Sequence, residues 1–176
     1  MKKITAIVLA LVVVLLAFAA CGGEKTPDVT PYEGTLTDLA SKIYAIQSVE
    51  FMLDETRDID LTDADTVKSF TGLDDASNIK EAVISQSFMG QPYQLVIARV
   101  NDAAKIEETK KAMFDGVDTR RWICVEANEL RVASYSDVIV LVMSSTENGA
   151  GIADGMVEAF KTTVGELSGE TLTLNK

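Results

Sequence analysis

No histidine occurs anywhere in the 176 residues. Imidazole is the commonest general base and a principal zinc ligand, so its absence removes Ser–His and Cys–His catalysis and the usual zinc enzymes. The chain also lacks a nucleophile-elbow serine motif and a phosphate-loop motif. Basic residues are scarce, 16 against 27 acidic ones, for a net charge of −11. An anionic surface repels nucleic acid and anionic headgroups, which argues against a nucleic-acid partner. Cysteine is nearly missing, with Cys21 and Cys124 the two present. A dinucleotide loop is missing too. Gly149-Ala150-Gly151-Ile152-Ala153-Asp154-Gly155 follows a strand and opens a helix, but its last glycine stands one residue too far along. The preceding strand belongs to a hairpin instead of a parallel βαβ unit. No cofactor is expected.

What is present begins at the N-terminus. Lys2 and Lys3 precede an apolar run, Ile4 to Ala20, broken only by Thr5. Small residues then lead to Cys21, the three-part layout of a secretory signal. Phe18-Ala19-Ala20-Cys21 resembles the lipobox of bacterial lipoproteins. That resemblance implies a signal peptide over 1–20, cleavage before Cys21 and a diacylglycerol on its thiol. The competing reading is an uncleaved transmembrane anchor, since the run is at the short limit for spanning a bilayer, about 17 to 25 residues. Both leave the bulk of the chain on the extracytoplasmic face. Glycine, proline and charge over 22–31 read as a linker, on the order of 20 Å as a coil. The expected divisions are a lipidated cysteine and tether over 21–34, one domain over 35–170, and a tail over 171–176. Removing Lys2 and Lys3 from the 16 basic residues leaves 14 against 27 acidic, a net charge of −13. With Cys21 acylated, Cys124 has no partner for an internal disulfide.

Within the domain, Leu36, Leu39, Ile43 and Ile46 recur at helical spacing behind Thr35 or Thr37 as a cap. Asp63 caps a short second helix carrying Val67 and Phe70, and Gly72 ends it. Glu81 to Phe88 and Tyr93 to Val100 read as strands around a Met89-Gly90-Gln91-Pro92 loop. A third helix follows Asn101 or Asp102, with Ile106, Met113, Phe114 and Val117 buried. Leu130 to Tyr135 and Val138 to Ser144 form another strand pair around Ser136-Asp137. Val138 to Met143 is apolar on both faces, the mark of a central strand. The last helix carries the stripe Ala153, Met156, Val157, Phe160, Val164 and Leu167. The expected class is α+β: a two-layer fold with an antiparallel sheet of about four strands, ββαββα after two N-terminal helices. Leu39, Ile43, Phe70, Ile84, Leu95, Ile97, Phe114, Val140, Val142, Met156, Phe160 and Val164 are the expected core.

From Gly72-Leu73-Asp74 to Ser145 the pattern resembles a bacterial lipoprotein family, domain of unknown function 4358. The shared features are a short helix ending in Gly, two strands, a helix and a later strand pair. Arg120-Arg121-Trp122-Ile123-Cys124-Val125 before a valine-rich strand resembles one of its branches. The resemblance implies a secreted, membrane-tethered domain and no particular activity.

Three clusters are candidate sites. Asp54, Glu55, Asp58, Asp60, Asp63 and Asp65 form an acidic run. Aligned as a calcium loop from Asp58, it has Asp63 where glycine is needed and Ser69 where a bidentate Glu belongs. A looser calcium site over Asp58, Asp60, Asp63 and Asp65 stands against a solvated loop with helix caps. Cys124 beside two arginines could be an activated thiol, but its apolar neighbours favour a small buried hydrophobe. Arg120, Arg121 and Trp122 could grip a carboxylate, phosphate or partner surface, or be surface charge around a core indole.

The expected function is a noncatalytic binding or assembly module on the outer membrane face, with an envelope or membrane protein as partner. A carboxylate-based hydrolase, with paired acids about 5 to 9.5 Å apart, is one alternative. A solute-capturing lipoprotein of a transporter is another.

Overall fold

The computed structural model describes residues 30–88 and 90–176. Residues 1–29, which include the expected signal peptide, Cys21 and most of the expected tether, lie outside the described residues, as does Met89. In chain order the elements are α1 (Leu36–Ile46), β1 (Arg57–Asp58), α2 (Ala64–Thr71), β2 (Ile79–Gln86), β3 (Gln94–Val100), α3 (Ile106–Gly116), β4 (Glu129–Tyr135), β5 (Val138–Ser144), α4 (Ile152–Val164) and β6 (Leu172–Asn175). One sheet holds all six strands in the order β1-β2-β3-β5-β4-β6. Every pairing in it is antiparallel. The class is therefore α+β, as expected. Among the described residues no helix is long and apolar enough to cross a membrane.

Local chemistry sets the helix ends. The Thr35 hydroxyl accepts from the Asp38 N–H at 3.1 Å, and the Asp63 carboxylate accepts from the N–H groups of Asp65 and Thr66. Each occupies donors that a helix start leaves unpaired. Gly72 closes α2 at φ +81, a left-handed conformation that a Cβ disfavours.

The expected two layers are in fact three. Strand side chains alternate between faces, and β5 is apolar at every position from Val138 to Met143. Val138, Val140 and Val142 pack with α1 and α4 around Leu39, Ile43, Met156 and Phe160. Ile139, Leu141 and Met143 pack on the opposite face with Val67 of α2 and Met113 of α3. Two separate cores thus sandwich β3 and β5, each fully buried Val, Leu or Ile contributing roughly 1.5–3 kcal/mol. Of the expected core residues, Phe70, Phe114 and Val164 are only partly buried, at the margins of these clusters.

The strand count differs at both edges. β1 is a two-residue strand paired to Val83 and Ile84, and it separates the two N-terminal helices. Residues 171–176, expected as a tail, supply β6. Its Leu172 and Leu174 pack against the α2/α3 core. Two cations secure that segment. Buried Lys110 donates to the carbonyl of Glu170 at 2.9 Å, and Arg131 donates to the carbonyl of Leu174 at 3.1 Å.

Residues 32–34, expected to belong to a flexible tether, are held against the sheet. Arg99, with 9% of its side chain exposed, donates to the carbonyls of Tyr32 (2.9 Å) and Gly34 (2.8 Å). It also pairs with Glu81 (2.7 Å) and Asp137 (2.8 Å). The Tyr32 N–H donates back to Asp137 at 3.2 Å. Residues 32–34 are therefore fastened to the sheet at the C-terminal end of β3.

Candidate functional site

At the other end of β3, the N-terminus of the strand meets the ends of α2 and α3. Gly72 and Gly116 make that meeting possible. A Cβ on Gly72 would lie 2.3 Å from the Val117 nitrogen, and one on Gly116 would lie 2.1 Å from the Gly72 oxygen. Both are far inside van der Waals contact, so the two helix ends approach this closely only as glycines. The approach sets Phe70, in the last turn of α2, beside the loop that leaves α3.

Gln94, the first residue of β3, ties the two together. Its side chain is fully buried. The Nε2 group donates to the Phe70 carbonyl at 3.0 Å, and the Oε1 atom accepts from a guanidinium nitrogen of Arg121. Arg121 is thereby held with its Cζ 4.6 Å from the Phe70 ring centre and 5.3 Å from that of Trp122. A second guanidinium shares the ring: the Cζ of Arg57, on β1, lies 5.2 Å from the centre of Phe70. Arg57 pairs in register with Ile84, whose side chain belongs to the same face of the sheet. The indole of Trp122 packs on the α2/α3 core while its residue stays half-buried.

The electrostatics of this cluster are unusual for so acidic a protein. Among the described residues neither Arg57 nor Arg121 has a carboxylate within salt-bridge distance, whereas Arg99, Arg120 and Arg131 each do. Burial, and after it the like charge of Arg57, pushes the Arg121 guanidinium below its usual range. It remains a cation at any physiological pH. The rings offset part of the repulsion, each cation–π contact contributing about 0.5–1 kcal/mol at exposed sites. The arrangement is a pair of guanidiniums on an aromatic floor, with no carboxylate paired to either among the described residues. It contains no nucleophile and no general base.

Of the expected site residues, Arg121 and Trp122 are brought together here and Arg120 is not. Arg120 is exposed and faces Asp118 of its own turn at 3.6 Å. Its place is taken by Arg57, which nothing in the local sequence marks, because the two arginines are 64 positions apart and meet only through the sheet.

Cys124 was expected to be buried and is exposed. Its backbone sits at φ +65, in a loop that also exposes Ile123 (91%) and Val125 (37%). Of the apolar neighbours that suggested a core position, Ile123 and Val125 turn outward with it, while Trp122 packs on the α2/α3 core.

The acidic run disperses. Among the described residues no group of three or more acidic or cysteine side chains converges on a position for a metal ion. Asp60 accepts from the hydroxyl (2.7 Å) and N–H (2.9 Å) of Thr62, and Asp63 caps α2 while accepting from the Thr66 hydroxyl. These bonds hold both carboxyls below their ordinary range. Asp58 lies in β1 and Asp65 in the first turn of α2. The glycine-rich stretch 149–155 is the entry to α4, with Gly151 at φ +79.

No family model matches the chain, and neither a curated protein nor a solved structure matches it, so the chemistry of the cluster rests on its own geometry.

Proposed function

We propose that this protein is a lipid-anchored, extracytoplasmic module that holds a partner at the cell envelope without catalysing a reaction. The Arg57–Phe70–Arg121 cluster is its contact. The anchor rests on the lipobox-like Phe18-Ala19-Ala20-Cys21 and the signal before it. Two acyl chains suffice for stable attachment, each buried CH₂ contributing about 0.8 kcal/mol. Membership of the lipoprotein family that the stretch from Gly72 to Ser145 resembles belongs to the same proposal.

The observation that carries the binding role is the pair of guanidiniums without a carboxylate. An acidic protein has ample means to neutralise its arginines, and does so for Arg99 and Arg131. Leaving two unpaired on one ring costs repulsion, which an anionic partner would relieve.

In-cell crosslinking followed by mass spectrometry tests this reading. Wild type is compared with Cys21→Ala and with Arg57→Ala/Arg121→Ala. A membrane or envelope protein recovered with wild type and lost from both variants supports it. Recovery of the protein alone, or release of a product from an envelope substrate by the purified chain, overturns it. Metabolic labelling with palmitate should mark the wild type and leave Cys21→Ala unlabelled.

A further inference from the structure

We infer that the cluster recognises carboxylates of an acidic protein segment, with the exposed loop 123–125 receiving apolar side chains of the same segment. This inference rests on the binding-module reading and names its ligand class.

Three observations select that class. First, a guanidinium offers planar, paired donors matched to a carboxylate or a phosphate, so the donor set calls for an anion. Second, the mature chain carries a net charge of −13 if the signal is removed. A phospholipid surface or a nucleic acid presents densely spaced charge that this field repels, whereas one or two carboxylates on a protein segment add little repulsion. Third, the loop continuing from Trp122 exposes Ile123 almost completely and Val125 in part. Apolar groups beside an arginine–aromatic anchor are the composition of a protein contact. They gain nothing from a phosphate or a nucleic acid.

The placement of residues 32–34 agrees. Arg99 fastens residues 32–34 at one end of β3, and Gln94 holds Arg121 at the other. Five residues of antiparallel strand separate them, about 17 Å. The cluster therefore lies at the opposite end of β3 from residues 32–34, which leave it uncovered.

The test uses the full acylated chain in nanodiscs of neutral phosphatidylcholine. Fluorescence anisotropy is read with a labelled Leu- and Ser-containing peptide that carries two Glu residues, and with the same peptide carrying Gln for Glu. Vesicles containing equal phosphatidylglycerol and phosphatidylcholine, and inorganic phosphate, serve as competing anions. The Glu peptide should bind at least tenfold tighter than the Gln peptide. Arg57→Ala/Arg121→Ala should remove that difference, and Ile123→Ser should weaken the Glu peptide severalfold. Arg57→Lys/Arg121→Lys keeps the charge and loses the planar fork, so it should retain only part of the preference. Equal binding of the two peptides, an unaltered preference in the double alanine variant, or tighter binding to the anionic vesicles or to phosphate would each overturn the inference. If crosslinking still recovers a partner with the double alanine variant, the binding-module reading stands and this site is the wrong one. If the peptide fails and no partner is recovered, both fail.

Discussion

The guanidinium of Arg99 meets four acceptors, on Glu81, Asp137, Tyr32 and Gly34, while that of Arg121, at the far end of the same strand, meets the amide oxygen of Gln94 alone. Register explains the contrast. Arg99 stands directly opposite Glu81 on β2 and Val138 on β5, one residue after Asp137. Cross-strand neighbours of opposite charge close on each other. Gln94 stands opposite Gln86 and Met143, so no acid comes with the pairing. An arginine surrounded by its own chain's acceptors is a fastener. An arginine held by one amide and stacked on rings leaves most of its donors without a partner among the described residues.

The largest expected effect comes from the glycine contact beneath the open end. Gly72→Ala combines left-handed strain with a backbone clash at 2.3 Å, and should cost about 3 kcal/mol. Urea denaturation reads this directly. The same substitution should weaken the Glu peptide, since α2 and Phe70 must shift away from Arg121. Full stability in this variant would mean that the close approach of α2 and α3 does not set the site.

Arg99→Ala comes next. It leaves Asp137 short of a partner and frees the carbonyls of Tyr32 and Gly34, for an expected loss of about 2–3 kcal/mol. Glu81 is half-exposed and can return to water, which holds the loss at that level. Hydrogen exchange should show the backbone around residues 32–36 opening before the rest. Peptide affinity should not change once folding is accounted for. If affinity falls as well, the two ends are coupled and the comparison fails.

How much of this was legible in the sequence follows the same division. α1 and α2 carry periodicity and side-chain caps, and α3, α4 and the four long strands carry periodicity. All form at those signals, except that β2 runs Ile79–Gln86, two residues earlier than the expected Glu81–Phe88. β1 has two residues, both exposed, and no apolar pattern; it exists because the edge of β2 accepts it. β6 does alternate, with Leu172 and Leu174 against Thr173 and Asn175, but four residues at the end of a chain read equally well as a tail. The third layer was implicit in the two-faced apolar run of β5, whose consequence is helices on both sides. At the site, Arg121 and Trp122 stood out locally as basic and aromatic in an acidic chain. Arg57 and Phe70 did not, because their role depends on a contact made across the sheet. Cys124 misled because apolar neighbours signal burial only when the backbone carries them inward, and here only Trp122 packs inward while Ile123 and Val125 are exposed around the turn at φ +65.

A smaller effect is expected from acid. Asp154 accepts from Arg131 at 2.5 and 3.0 Å, which holds its carboxyl below the ordinary range. A carboxyl lowered in the folded state contributes stability above its unfolded value, and that contribution is lost as pH falls through the usual carboxylate range toward the folded value. Asp154→Asn should therefore flatten the acid limb of the stability profile and lower neutral stability by about 1 kcal/mol, the exposure of the carboxylate limiting a loss that the buried Arg131 guanidinium would otherwise enlarge. An acid limb identical to wild type would show that this pair adds nothing measurable.

The smallest expected change in stability belongs to Arg57→Ala, and it separates the two kinds of arginine most sharply. Arg57 is exposed, lies on a two-residue edge strand, and has one described contact, the Phe70 ring. Removing it gives up a surface cation–π contact and relieves repulsion on Arg121, two terms of similar size and opposite sign. Stability should stay within about 0.5 kcal/mol of wild type. Arg121, freed of its like-charged neighbour, should keep its stacked position because Gln94 still accepts from it. Binding should behave differently: the Glu peptide loses one of its two guanidiniums, and its advantage over the Gln peptide should shrink severalfold. A variant that folds as well as wild type and discriminates less would show that Arg57 serves a partner and not the fold. A loss of stability with discrimination intact would place Arg57 with Arg99, among the fasteners.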